Sequence, residues 1–195
     1  SLTVQSTALL DVQEDGTRAL WRLTLDFRRS ERNSFRLFLP LDYLVTRVAG
    51  ANVRGWESKR AANAQQLDIF LLQPAKDQDR FDVHFWRPRA DDLKKPAIDD
   101  VPTVTVDGAA LANGSVVIRR SPLLNVRIES TKGVSRIDLP APTGSPDDLA
   151  LSVTSPLGIR PLAAYKFASV PFSIRLAITS ASSRVHATVQ TILRF

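Results

Sequence analysis

Catalysis or metal binding needs acids, bases, nucleophiles or ligands at workable spacings, and this 195-residue chain offers few of them. Its two histidines, His84 and His186, lie far apart, and neither stands in a His-x-His or His-x-x-x-His spacing that would aim two imidazoles at one metal ion. Cysteine is absent, which removes disulfides, thiolate metal sites and cysteine nucleophiles together. No Gly-x-Ser-x-Gly elbow, phosphate-binding glycine loop or dinucleotide fingerprint occurs. The doublets Asp91-Asp92, Asp99-Asp100 and Asp147-Asp148 could share a calcium ion between modules, because hard cations take clustered carboxylates. They serve equally well to solvate loops. Asn113-Gly114-Ser115 matches a glycosylation acceptor, yet Asn-Gly is also the preferred pair for a two-residue hairpin turn, and the turn reading is the stronger. No catalytic residue, metal or cofactor is expected from this inventory.

Aromatic side chains are the other route to function, since exposed indole and phenol rings stack on sugars. Trp21 is in phase with Leu23, Leu25 and Phe27 and belongs to a core. Trp86 is out of phase with Phe81, Val83 and Phe85 and shares its face with Asp82 and His84. Trp56, between Arg54-Gly55 and Glu57, fits either role. Trp56, His84 and Trp86 therefore mark the candidate ligand or interdomain surface, with interdomain packing favoured for Trp86.

The net charge is +6, and arginine outnumbers lysine twenty to six. A phosphate-tracking surface needs its basic residues on one face. Here they are spread: the clusters Arg28, Arg29 and Arg32, Lys94-Lys95 and Arg119-Arg120 are short or flanked by acids, which argues against a nucleic-acid partner. No window has the roughly 18 to 20 apolar residues of a membrane-spanning helix, and the N-terminus lacks the layout of a signal peptide.

The elements that must position these residues read as strands. Trp21 to Phe27 alternates large apolar and polar residues, and Phe81 to Phe85 and Phe172 to Ile178 repeat the pattern. A strand turns that period of two into one apolar and one polar face. Seven strands are predicted over the first 90 residues, among them Arg18–Arg28, Phe35–Leu39, Leu67–Leu72 and Phe81–Arg87, beginning with a hairpin through Glu14-Asp15-Gly16 and punctuated by Pro40, Gly50, Pro74 and Pro88. The stretch 89–102 holds prolines and paired charges and reads as a linker. Strands then resume at Thr103–Val106, Val116–Arg119, Leu124–Glu129, Val134–Leu139, Leu149–Val153, Leu162–Phe167, Phe172–Ile178 and Val185–Phe195. We expect an all-β chain of two immunoglobulin-like antiparallel β-sandwich modules in tandem, residues 1–88 and 103–195. Leu2–Thr7 echoes Ala187–Ile192, as the start and end of a repeated module would.

The run Phe35-Arg36-Leu37-Phe38-Leu39-Pro40, followed by Val45, Val48, Gly50, Val53 and Trp56 and then by Leu67-Asp68-Ile69, resembles a module of large uncharacterised envelope proteins of planctomycete-like bacteria. The resemblance spans residues 18–87, with a weaker similarity at Phe167–Phe195. It implies a repeated extracytoplasmic β-sandwich and carries no catalytic residues. The expected function is thus a non-catalytic structural or interaction fragment of a larger bacterial protein, periplasmic, surface-bound or secreted. Its partners would be other modules of the same chain or another envelope protein. The alternative is a carbohydrate-binding module that holds polysaccharide on Trp56, Trp86, Tyr43 or Tyr165.

Overall fold

A computed structural model describes residues 1–90, 93, 95–141, 143–145, 148, 158–181 and 192–194. His186, Asp91-Asp92, Asp147, the predicted strand Leu149–Val153 and most of Val185–Phe195 lie outside the described residues.

The chain is all-β, with twelve strands among the described residues: β1 (Leu2–Gln13), β2 (Gly16–Leu39), β3 (Leu44–Ala49), β4 (Val53–Arg60), β5 (Gln65–Pro88), β6 (Ala97–Asp100), β7 (Thr105–Val106), β8 (Ala109–Arg120), β9 (Leu124–Lys132), β10 (Val134–Ile137), β11 (Arg160–Phe167) and β12 (Ser173–Ser180). The large sheet runs β10-β11-β8-β1-β2-β5-β3, with β4 on the far half of β5 and β7 on the far end of β2. A small sheet, β6-β12-β9, packs over it to make a sandwich. Among the described residues no helix is long and apolar enough to cross a membrane.

The alternation that predicts strands also decides the faces. Trp21, Leu23, Leu25 and Phe27 are each no more than 1% exposed, while Arg22, Thr24 and Asp26 between them are partly exposed. Phe81, Val83 and Phe85 of β5 and Ile174, Leu176 and Ile178 of β12 complete the same core. Burying each such side chain contributes on the order of 1.5–3 kcal/mol. Aromatic contacts lock the layers together: Phe167 and Phe172 lie 4.6 Å apart between ring centroids, and Trp21 lies 5.9 Å from Phe167.

The expected division into modules at 1–88 and 103–195 is not how the strands pair. β8 lies parallel to β1, from Leu2 opposite Ala109 to Val12 opposite Arg120, and β7 pairs with the end of β2. One core cluster takes Val4, Trp21 and Phe85 together with Ile118, Tyr165 and Ile174. The predicted linker also does structural work. Its residues 97–100 form β6, paired with β12, and Val101 is buried. A four-residue strand has too few positions to show a period, so only its partner strand defines it.

Two predicted breaks are bends instead. Arg18–Arg28 and Phe35–Leu39 merge into β2, and Leu67–Leu72 and Phe81–Arg87 merge into β5. The pairing shifts register between Asp26 and Glu31 and between Arg32 and Ser34. Arg29 and Asp77 both adopt φ of 64° there, and the Arg29 backbone N–H donates to Asp77 Oδ1 at 2.8 Å.

Asn113-Gly114 is not a turn. Both residues lie inside β8, and the turn falls at Asp107-Gly108, where Gly108 has φ of 75°. Gly114 is required by space: a Cβ there would sit 1.9 Å from the Ser6 carbonyl oxygen. Close backbone approach and turn geometry both select glycine, so residue type alone does not separate them.

Candidate functional site

The outer face of the large sheet, turned away from the small one, gathers two of the three predicted site residues. Strand register sets its rows. Arg119, Asp11, Arg18 and Trp86 lie side by side across β8, β1, β2 and β5, and Val117, Leu9, Leu20 and His84 form the next row. Leu9 and Leu20 are buried, at 4% and 2% exposure, beneath their charged neighbours, with Val117 packed beside them. The result is an open depression of about 270 Å³ lined by Leu9, Asp11, Arg18, Leu20, His84 and Trp86.

Its charged groups are tied to one another. Arg119 donates to both Asp11 oxygens, Nε at 2.6 Å and Nη2 at 2.7 Å, in a buried pair. Arg22 makes the same two-point contact with Asp82 at 2.9 and 3.0 Å. Arg18 holds Asp15 at 2.8 and 2.9 Å and Gln13 Oε1 at 2.8 Å. Such forks fix both side chains, because the planar guanidinium matches the carboxylate. The Arg18 hydrogen bond holds the Asp15 carboxyl below its ordinary value, with burial acting in opposition.

His84 is half-buried opposite Arg47 of β3. Burial is the main cause lowering its pKa, followed by the Arg47 charge; Asp82 works the other way and Arg22 lowers it further. The Thr46 hydroxyl donates to the His84 backbone carbonyl at 3.2 Å. The charges that act on the ring are therefore Arg47, Asp82 and Arg22, and Thr46 lines the depression with it.

Trp86 shares the depression with His84, and the Arg18 guanidinium stands 4.9 Å from its ring centroid. One face of the indole is thus already covered. Trp56 lies elsewhere, on β4 opposite Ile69, packed partly buried against the core. Tyr43 and Tyr165 are in the core at 2% and 4% exposure, which corrects their expected use as stacking platforms: a buried ring cannot lie against a sugar.

A second polar group was not legible as a unit. Asp99, one of the doublets considered for calcium or solubility, is buried between Arg87 at 2.5 Å and Arg89 at 3.1 Å, and its neighbour Asp100 faces Arg175 at 3.3 Å. Among the described residues no three acidic or histidine side chains converge as metal ligands would. The cluster at Arg28, Arg29 and Arg32 sits at the bend of β2, where Asp26, Glu31, Asp77 and Asp79 interleave with it. That mixture lacks the single-signed face a nucleic-acid backbone requires.

No family model and no curated protein sequence match the chain. Among solved structures, it is similar to an M1 zinc metallopeptidase from Deinococcus radiodurans at 10% identity, covering 90% of this chain and 42% of that one, with a TM-score of 0.47. A mutant of the Deinococcus radiodurans enzyme bound to a Tyr-Ser-Ala substrate gives 12% identity, the same coverage and a TM-score of 0.49. The chain spans about two fifths of the length of these structures. The likeness is one of chain path, and no residue is carried over from it.

Proposed function

We propose that this chain is a non-catalytic β-sandwich unit of a larger extracytoplasmic bacterial protein, serving as scaffold and as an interaction surface through the outer face that carries His84 and Trp86. The observation that supports this reading is the state of that face: Asp11, Asp15 and Asp82 are each committed to an arginine by two-point hydrogen bonds. Fixed ion pairs of this kind hold a surface in shape and offer no poised acid, base or nucleophile. Leu44, 57% exposed and opposite Trp86, adds apolar area at the margin, as interface patches do. The partner in this reading is another module of the same polypeptide.

Hydrogen exchange of backbone amides tests it, comparing this chain alone with the same chain in its full-length product. Slower exchange at Leu44–Arg47 and Leu9–Asp11 in the longer protein is the expected result. Equal exchange there in both forms defeats the proposal.

A further inference from the structure

At the end of the sandwich where β2 starts and β5 finishes, the two sheets leave an open cleft of about 890 Å³, a volume in the range of small-molecule sites. Thr17, Arg87, Arg89, Lys95 and Asp99 line it. Thr17 and Arg87 face each other across β2 and β5, and Asp99 reaches them from β6 of the small sheet, accepting from Arg87 at 2.5 Å and Arg89 at 3.1 Å. Arg87 also donates to Asp42 at 2.7 Å on its outer side. Among the described residues that line the cleft, Arg87, Arg89 and Lys95 are cationic and Asp99 is the one carboxylate.

The hydrogen-bond balance is tilted in the same direction. Among the described residues, four buried side-chain nitrogen or oxygen atoms have no hydrogen-bond partner, and three of them belong to this cluster: Thr17 Oγ1, Arg89 Nε and the Tyr43 hydroxyl. Thr17 is 2% exposed and the Arg89 side chain 9%. Tyr43 stands behind Arg87, whose guanidinium lies 5.5 Å from its ring centroid. All three can donate, and Arg89 Nε can do nothing else. Buried polar atoms are paired as a rule, so a group of orphans is informative. The complement to several donors and surplus positive charge is a compact anion with several acceptor oxygens.

We infer that this cleft binds a small oxyanion, a carboxylate or a phosphate, between Arg89 and Lys95. Arg89 Nε and the Thr17 hydroxyl are shielded from solvent, so binding turns both side chains toward the ligand; Arg89 gives up its contacts with Asp99 and the Gln13 carbonyl, while Asp99 keeps hold of Arg87. The site is separate from the outer face that carries Trp86.

Calorimetric titration of the whole chain tests this, with sodium phosphate in one arm and sodium acetate in the other, each at constant ionic strength set with chloride. Saturable binding of one or both is expected, and the arm that binds names the oxyanion. Thr17→Val, nearly unchanged in shape, and Lys95→Gln, at the surface, are each expected to weaken binding by about fivefold to tenfold, the effect of losing one ordinary hydrogen bond. Trp86→Ala on the outer face leaves the affinity as it is, which separates this site from the proposed interaction surface. No saturable heat in either arm overturns the inference, and so does an affinity unchanged by both cleft variants.

Discussion

The indole of Trp21 and the ring of Phe172 stack with centroids 6.4 Å apart and planes 15° from parallel, so a residue of the first hairpin and one near the far end of the chain share a single aromatic cluster. Trp21→Ala empties a fully buried site and should cost about 3–5 kcal/mol. Because the halves share this core, urea unfolding followed by fluorescence and by circular dichroism is expected to give coincident single transitions for the parent protein. Two separated transitions would mean that the halves unfold independently.

The buried Asp11–Arg119 pair predicts a pronounced asymmetry. Asp11→Ala leaves the guanidinium buried without its counter-charge and should destabilise by about 3–5 kcal/mol. Replacing both partners, as Asp11→Leu with Arg119→Met, should cost markedly less than the sum of the single changes, because no uncompensated charge remains. A double-mutant cycle in urea checks it, and additive costs would refute the coupling.

His84 gives the fold a pH dependence of defined sign. Its folded pKa lies below the ordinary 6.5, chiefly through burial and then through Arg47, so the native state binds this proton less readily than the unfolded chain does. The stabilising contribution is complete above pH 6.5 and is lost as pH falls from there through the lowered pKa. His84→Gln should flatten stability across that window and leave it unchanged at pH 8. An unaltered pH profile in the variant would remove His84 as the cause.

Glycines distinguish space from conformation. Gly114→Ala would drive its methyl group into the Ser6 carbonyl, at 1.9 Å, and should cost about 3 kcal/mol or more, at the upper end of overpacking effects. Gly55→Ala, with nothing within 4 Å of the new carbon, should stay within about 1 kcal/mol of the parent. Thermal unfolding of the two variants, measured side by side, decides this.

The strand periods at Trp21–Phe27, Phe81–Phe85 and Phe172–Ile178 were legible because a two-residue repeat is a local property, and it placed Trp21 in the core and His84 and Trp86 together on the opposite face. The phase of these three strands, and with it the choice of their buried residues, follows from the sequence alone. Strand partners do not. That β8 lies beside β1, that residues 97–100 pair with β12, and that Asp99 meets Arg87 and Arg89 are contacts between segments whose spelling carries no mark of one another; only the closing of two sheets over a common core selects them. Hydrophobic alternation states which face must be buried, whereas the tertiary structure decides against what, and so where the polar residues left at the edges of that core come together.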